Sequence, residues 1–291
     1  MGLDADISSF RSRLFVASNS TILLEFTPLS YSRFGTSFPL LLRLLLWRLK
    51  RCRVIIYFHE LPFSNGRSLR SFLAVVMQRF YCGFLMFISS YSILNQFDLS
   101  RSLQFFSGRR RLFFMPTFSN IGECESVDLP GIRPLQVVVF GSPGKRRHAH
   151  TLVASLGGYR RMFGPQVRVV DIGEYLDLPI ELLPEVHPLG PLPSHEVQVY
   201  LLSSRFGFFY SESNQFSKSG VFAAYAAHGV VPIISNQVSF TSPYFLTPEE
   251  VLTQSPRFIV LDSVWSSCRE WYRKYSVQKC ASLLYMLNNG P

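Results

Sequence analysis

The residues best placed to do chemistry are Ser217, Lys218, Ser219 and Gly220, within the stretch Phe206–Ser235 that reads FGFFYSESNQFSKSGVFAAYAAHGVVPIIS. A short apolar strand, Phe206–Tyr210, runs into a polar loop, Ser211–Lys218. A helix of small residues is expected over about Ser219–His228, then a second apolar strand over Val230–Ser235. Gly229 stands where a helix C-terminus takes a left-handed residue, and Pro232 lies beyond it. The loop therefore leaves the carboxyl end of a strand and enters a helix N-terminus. Open α/β sheets bind ligands at that place, where unpaired N–H groups and the helix dipole favour an anion. The hydroxyls can cap and donate, the lysine is a positive point charge, and the glycine lets a phosphate approach the backbone. An ordinary capped turn uses the same residues, so spacing alone leaves both readings open.

Other chemistry-bearing residues are sparser. His148 and His150 are two apart with no third ligand in view, and a zinc site needs more. His195, at a helix start, and His228, in a last turn where a cation suits the dipole, read as structural. The cysteines (Cys52, Cys82, Cys124, Cys268, Cys280) are scattered, odd in number and without a CxxC pair. Structural thiols in a reduced, cytoplasmic compartment are expected.

Composition narrows the classes. With 47% hydrophobic and 16% charged residues in 291, the chain is core-rich and long enough for two domains. The formal charge of +10 favours anionic partners: nucleic acid, acidic lipid head groups or phosphorylated small molecules. No zinc-finger or RNP pattern is present, so no specific nucleic-acid recognition is expected. Residues 1–20 hold no apolar run of the kind a secretory leader carries. The most hydrophobic run, Phe38–Leu49 (FPLLLRLLLWRL), is too short to span a bilayer and reads as a helix buried against a sheet, with an interfacial role for its basic end as the secondary reading.

The elements that must position these residues alternate. In the first half, strands are expected at Thr21–Phe26, Arg53–His59, Phe84–Ser89 and Arg111–Met115, with helices at Phe38–Lys50, Ser68–Cys82 and Gln96–Gln104. The stretch Pro116–Pro134 is rich in turn residues and reads as the linker. A second block opens with the strand LQVVVFG from Leu135, followed by a helix over Arg147–Leu156, a strand over Val167–Ile172 and a helix over Glu196–Ser203. Helices are expected again at Pro248–Gln254 and Ser263–Leu287. The fold class is therefore α/β, with two Rossmann-like domains, 1–116 and 135–291, facing a cleft and joined by the linker 117–134.

Several segments, taken in order, resemble the GT-B glycosyltransferases, and within them glycosyltransferase family 4 or group 1 of bacterial polysaccharide synthesis. They are EFTPLSYSRFGTSFPLLLRLL, VIIYFHELP, FMPTFSNIG, VVVFGS, GPLPSHEVQVYLLSSRFGFFY and SKSGVFAAYAAHGVVPIIS. The resemblance implies that the second domain grips a nucleotide sugar and the first binds a glycan or lipid-linked acceptor. It implies no resident metal or cofactor. On this basis Ser217, Lys218, Ser219 and Gly220 face the donor diphosphate, and Lys145, Arg146 and Arg147 join them, though a solvated charge run is their plain alternative. His59 would hydrogen-bond a sugar hydroxyl, with Glu60 orienting it or acting as base, against the alternative of a capped turn. Arg33 and Gly35 would contact the acceptor. The setting implied is the cytoplasmic side of the envelope, with an anionic membrane surface as a further partner.

Two departures from the family pattern stand out. Many relatives carry two glutamates in the donor segment, and the matching positions here are Phe216 and Ala224, with Glu212 the nearest carboxylate and the donor-binding candidate to stand in for them. The family's opening strand and glycine-rich loop should precede Thr21, and residues 1–20 do not supply them, so the first domain is expected to be incomplete. The reading is a hexosyltransferase using a nucleotide sugar. The alternative is a non-catalytic scaffold that binds a nucleotide or a glycan.

Overall fold

The computed structural model describes residues 17–31, 36–59, 69–96, 112–211, 215–236, 242–253 and 258–289. The chain forms two compact units. One holds the residues up to Leu94, Leu112–Phe113 and the tail from Leu287; the other holds Asn95, Gln96 and Phe114–Met286.

The first unit is a four-stranded sheet in the order β1 (Thr21–Phe26), β2 (Arg53–Phe58), β3 (Tyr91–Leu94), β4 (Leu112–Phe114). β1, β2 and β3 run parallel. After a single turn, α1 (Pro28–Tyr31), the long helices α2 (Phe38–Leu49) and α3 (Leu69–Ile88) make the crossovers. Stepping the same way twice with right-handed crossovers puts both helices on one face of the sheet. There Leu40 and Leu44 of α2 and Cys82, Leu85 and Met86 of α3 pack with Leu24, Phe26, Ile56 and Phe58. Ser37 caps α2, its Oγ accepting from Leu40 N at 3.4 Å. β2 is buried along both faces, as its unbroken apolar run requires.

One expected strand is absent. Phe84–Ser89 continues α3, and the strand comes later, at Tyr91–Leu94. A six-residue apolar run fits either period. The burial decides it: Leu85, Met86 and Ile88 are buried while Phe84 and Phe87 are exposed, the rhythm of a helix.

The second unit is a wholly parallel five-stranded sheet in the order β7 (Val186–Gly190), β6 (Arg168–Ile172), β5 (Gln136–Phe140), β8 (Phe206–Phe209), β9 (Val231–Ile234). The chain builds outward from β5 through β6 to β7. It then crosses back over to β8 and β9, so the order reverses between β5 and β8. Its helices are α4 (Pro143–Ser155), α5 (Tyr159–Phe163), α6 (Ser194–Ser203), α7 (Gly220–His228), α8 (Pro248–Thr253), α9 (Phe258–Lys274) and α10 (Val277–Asn289). The single C-terminal helix expected over Ser263–Leu287 is two, α9 and α10. β7 contains Pro188, which hides it from a strand reading; on an edge the missing N–H costs no ladder bond.

The expected linker is a correction as well. Residues 117–134 are part of the second unit. Arg133 donates to Asp128 O (3.1 Å), Ser204 O (3.0 Å) and His228 O (2.9 Å). Arg269 donates to Cys124 O at 3.1 Å and Glu125 O at 3.3 Å. Tyr272 OH donates to Glu123 Oε1 at 2.6 Å and accepts from Ser119 N at 3.0 Å. Arg205 donates to Gly131 O at 3.3 Å and to Arg133 O. Proline and glycine in this stretch shape a strap whose carbonyls three arginines satisfy.

Between β5 and β8 lies a buried tyrosine. The Tyr225 hydroxyl reaches Phe208 O at 2.9 Å and Val138 O at 3.0 Å. Its ring fills the place of a side chain at Gly207, where an added Cβ would sit 2.6 Å and 2.8 Å from the two Cε atoms. Neither partner can yield, because Tyr225 is fully buried and Gly207 is in a strand. Gly207→Ala is therefore expected to destabilise the protein by about 1–3 kcal/mol, seen as a lower midpoint in urea unfolding with an unchanged m-value.

Candidate functional site

α7 begins at the carboxyl edge of the second sheet. Ser219 is its N-cap, with extended backbone and its Oγ accepting from Phe222 N at 3.2 Å. Every residue from Phe222 to His228 is buried, whereas Gly220 and Val221 keep some exposure. The turn after β5 reaches the same place. Gly141 has φ of 120°, and a Cβ there would lie 3.0 Å from Val221 Cγ2. That turn leads through Ser142 and Pro143 into α4, and nothing stands within 4 Å of a Cβ built on Gly144. Two helix N-termini thus start side by side where the strand order reverses, the usual position of an anion in such sheets.

The expected donor-side residues divide. Ser217 is buried; its Oγ donates to Asn95 O at 2.7 Å and its carbonyl accepts from Thr117 N at 2.9 Å. It builds the 3-10 turn Phe216–Lys218 that delivers the chain to the cap. Lys218 is half-buried, with Nζ 3.5 Å from Gln215 Oε1. Gly220 has ordinary room for a Cβ, 3.9 Å from both Asn120 Oδ1 and Thr117 Cγ2.

Lys145, Arg146 and Arg147 fall inside the start of α4 and not ahead of it. Lys145 and Arg147 are exposed. Arg146 is a correction, being buried and committed to the interior. It pairs with Asp171, donates to Glu174 O, and donates through Nε to Gly141 O at 3.1 Å. Gly173 leaves space for its guanidinium, 2.8 Å from where a Cβ would be. The chain of contacts continues inward. Asp171 Oδ2 lies 2.8 Å from His150 Nε2, and His150 Nδ1 lies 3.0 Å from Tyr159 OH. All four side chains are buried. Burial, with the Asp171 charge second, holds the Tyr159 phenol well above its ordinary range. His150, without an evident role in the sequence, is the middle of a relay that holds the Gly141 turn. Its neighbour His148 stacks on Tyr210, centroids 4.5 Å apart. Among the described residues no group of His, Cys, Asp or Glu forms a metal site. Burial pushes the Cys82 thiol up to about 12, away from any nucleophilic use.

In the first unit, His59 follows β2 and its backbone N donates to Phe26 O at 3.0 Å. Its Nε2 lies 3.2 Å from Glu25 Oε2, and its ring meets Tyr57 edge-on at 4.4 Å. The sequence marks Glu25 only as a lone carboxylate at the carboxyl end of the apolar strand TILLEF; the β1–β2 register, Phe26 opposite Phe58, brings it to His59. Glu60, Arg33, Gly35 and Glu212 lie outside the described residues. Of the two positions where the resemblance leads one to look for glutamates, Ala224 is buried in the core, and Phe216 packs in an aromatic group with Phe222, Phe245 and Trp271.

The far end of α7 is also defined. Gly229 closes it in the left-handed region at φ 65°. Arg133 donates to His228 O and Arg269 to Ala226 O (3.2 Å) and Ala227 O. Burial pulls Arg133 down to about 10, so it stays charged at neutral pH. Burial, aided by Arg269 and Arg133, lowers His228, whose Nδ1 donates to Ala224 O at 2.8 Å.

Compared by sequence, the chain matches no family model and no curated protein. Solved structures do match. HepE of Anabaena, in complex with UDP and glucose, aligns with a TM-score of 0.51 at 14% identity over 86% of this chain and 76% of that one. Sucrose-phosphate synthase of Thermosynechococcus elongatus gives 0.57 at 12%, over 92% and 72%. The UDP-forming trehalose-phosphate synthase of Burkholderia vietnamiensis gives 0.58 at 11%, over 94% and 72%. The fold is the Rossmann-like GT-B architecture.

The state of His228 has a thermodynamic consequence. In the folded protein its imidazole titrates below the ordinary 6.5, so the unfolded chain takes up the proton first as pH falls. Stability is therefore expected to drop below pH of about 6.5, by up to about 1.4 kcal/mol per pH unit until the folded value is passed. Urea midpoints measured across this range should show the slope, and His228→Gln should flatten it.

Proposed function

We propose that this chain is a glycosyltransferase that transfers a sugar from a nucleotide sugar to a glycan or lipid-linked acceptor. One observation carries the reading: two helix N-termini start together at the switch point of the second sheet, with Gly141 against Val221. The donor's diphosphate belongs there. The N–H groups at the starts of α4 and α7 receive its oxygens, and Lys218, Lys145 and Arg147 supply charge. As the glycosidic bond breaks, negative charge accumulates on the departing nucleoside diphosphate, and preorganised donors stabilise it more in the transition state than before it. By likeness to the neighbour solved with UDP and glucose, the donor is a UDP-sugar. In the first unit, Glu25 holds the His59 imidazole so that its other nitrogen can hydrogen-bond a sugar or acceptor hydroxyl. A role in envelope or exopolysaccharide assembly follows from the resemblance of the six segments quoted above.

A second reading has its own observation. Phe216 and Ala224 are apolar and packed where relatives carry glutamates, so a direct carboxylate contact to the donor from these positions is missing. A nucleotide-binding scaffold without turnover fits that departure.

Titration calorimetry with UDP tests the site. Lys218→Ala is expected to cost about 1.5–3 kcal/mol of affinity, the worth of one charge-assisted contact; unchanged affinity would remove the assignment. Product formation from labelled nucleotide sugars separates the readings. His59→Ala is expected to lower turnover by about 10²–10⁴-fold while leaving UDP affinity intact. UDP binding with no transfer to any soluble or lipid-linked acceptor would put the scaffold first.

A further inference from the structure

The side of α2 and α3 turned away from the sheet carries the feature least expected of a water-facing surface. On α2, Phe38, Leu42, Leu45 and Leu49 are exposed, Phe38 by 75% and Leu49 by 80%. On α3, Leu73, Met77, Phe80, Phe84 and Phe87 are exposed, Phe80 by 67% and Phe87 by 72%. Each set recurs at steps of three and four, so each is one continuous stripe. Both helices already bury a different stripe in the core, through Leu40 and Leu44 and through Cys82, Leu85 and Met86. Scattered single exposures are normal on a folded domain; two adjacent stripes of Phe and Leu are not.

Charge says what covers them. From Thr36 to His59 and from Leu69 to Ile88 there is no Asp or Glu, while Arg48, Lys50, Arg51 and Arg79 stand exposed on or beside the stripes. A two-fold contact with a second copy would set these cations against themselves. An anionic lipid leaflet accepts both parts at once, apolar side chains below and cations at the head groups. Among the described residues no helix is long and apolar enough to cross a membrane, so the surface would lie on the bilayer and not span it.

We propose that the α2–α3 face is a membrane-docking surface for anionic lipid. Phe38, Leu49, Phe80 and Phe87 enter the acyl boundary, and Lys50 and Arg51, in the turn that ends α2, meet the head groups. This assignment is independent of the transfer reaction and holds for an enzyme or a scaffold.

Vesicle co-sedimentation of the full chain is the test, with vesicles of phosphatidylcholine alone and of phosphatidylcholine mixed with phosphatidylglycerol. The chain should partition onto the anionic vesicles, less so as salt rises, and far less onto the neutral ones. Phe80→Ser with Phe87→Ser should reduce partitioning by about 100-fold, and Lys50→Gln with Arg51→Gln by about tenfold, with thermal unfolding unchanged because all four side chains are exposed. Equal binding to both vesicle types, no binding to either, or full binding by the Phe variant would overturn the proposal. So would a parent dimer in sedimentation that the Phe variant turns into a monomer, since a second copy would then be the occupant.

Discussion

The second unit is organised around the carbonyl end of one helix. α7 is buried from Phe222 onward, so its last carbonyls and the negative end of its dipole have no water to face. Arg133 and Arg269 meet them from two directions, one from the strap before β5 and one from α9. Gly229 turns the chain away in the left-handed region, with Trp265 and Arg133 close enough that no side chain fits there. Once that end is neutralised, α7 can run through the core with its N-terminus at the edge of the sheet. The buried arginines, the strap and the open helix start are parts of one electrostatic arrangement.

Much of this was legible in the residues. The apolar runs on either side of α7, the capping Ser219 and the closing Gly229 announce a βαβ unit. What they could not announce is where long side chains go. Arg146 sits in a basic triplet that looks uniformly solvated, yet it alone turns inward, because Asp171 waits on β6 and Gly173 leaves room. The strap 117–134 has a linker's composition; contacts with residues distant in sequence, Arg205, Arg269 and Tyr272 among them, make it part of a domain. Pro188 masks an edge strand, and the run Phe84–Ser89 satisfies two periods until its neighbours choose one. Each miss is a case of tertiary contact overriding local pattern.

The two candidate sites differ in how they are built. At α7 the groups are backbone N–H donors with flanking cations, a design that tolerates sequence change. His59 and Glu25 depend on side-chain identity and on the register of two strands. The aromatic group around Phe216 and the buried Ala224 show that the turn Phe216–Lys218 ahead of α7 is held by packing in place of charge. A turn held in this way keeps its shape when the polar groups around it change, so the fold constrains the chemistry at this edge only loosely.

The relay from Tyr159 through His150 and Asp171 to Arg146 changes how mutagenesis on this chain must be read. It ends on the carbonyl of Gly141, the turn that borders the proposed anion position. A substitution at Tyr159, deep in the core, can therefore shift that turn without touching any ligand. Lost binding will not distinguish a contacting residue from a supporting one, and a scan that ranks positions by affinity alone will draw the binding site too large, extending it inward along four buried side chains.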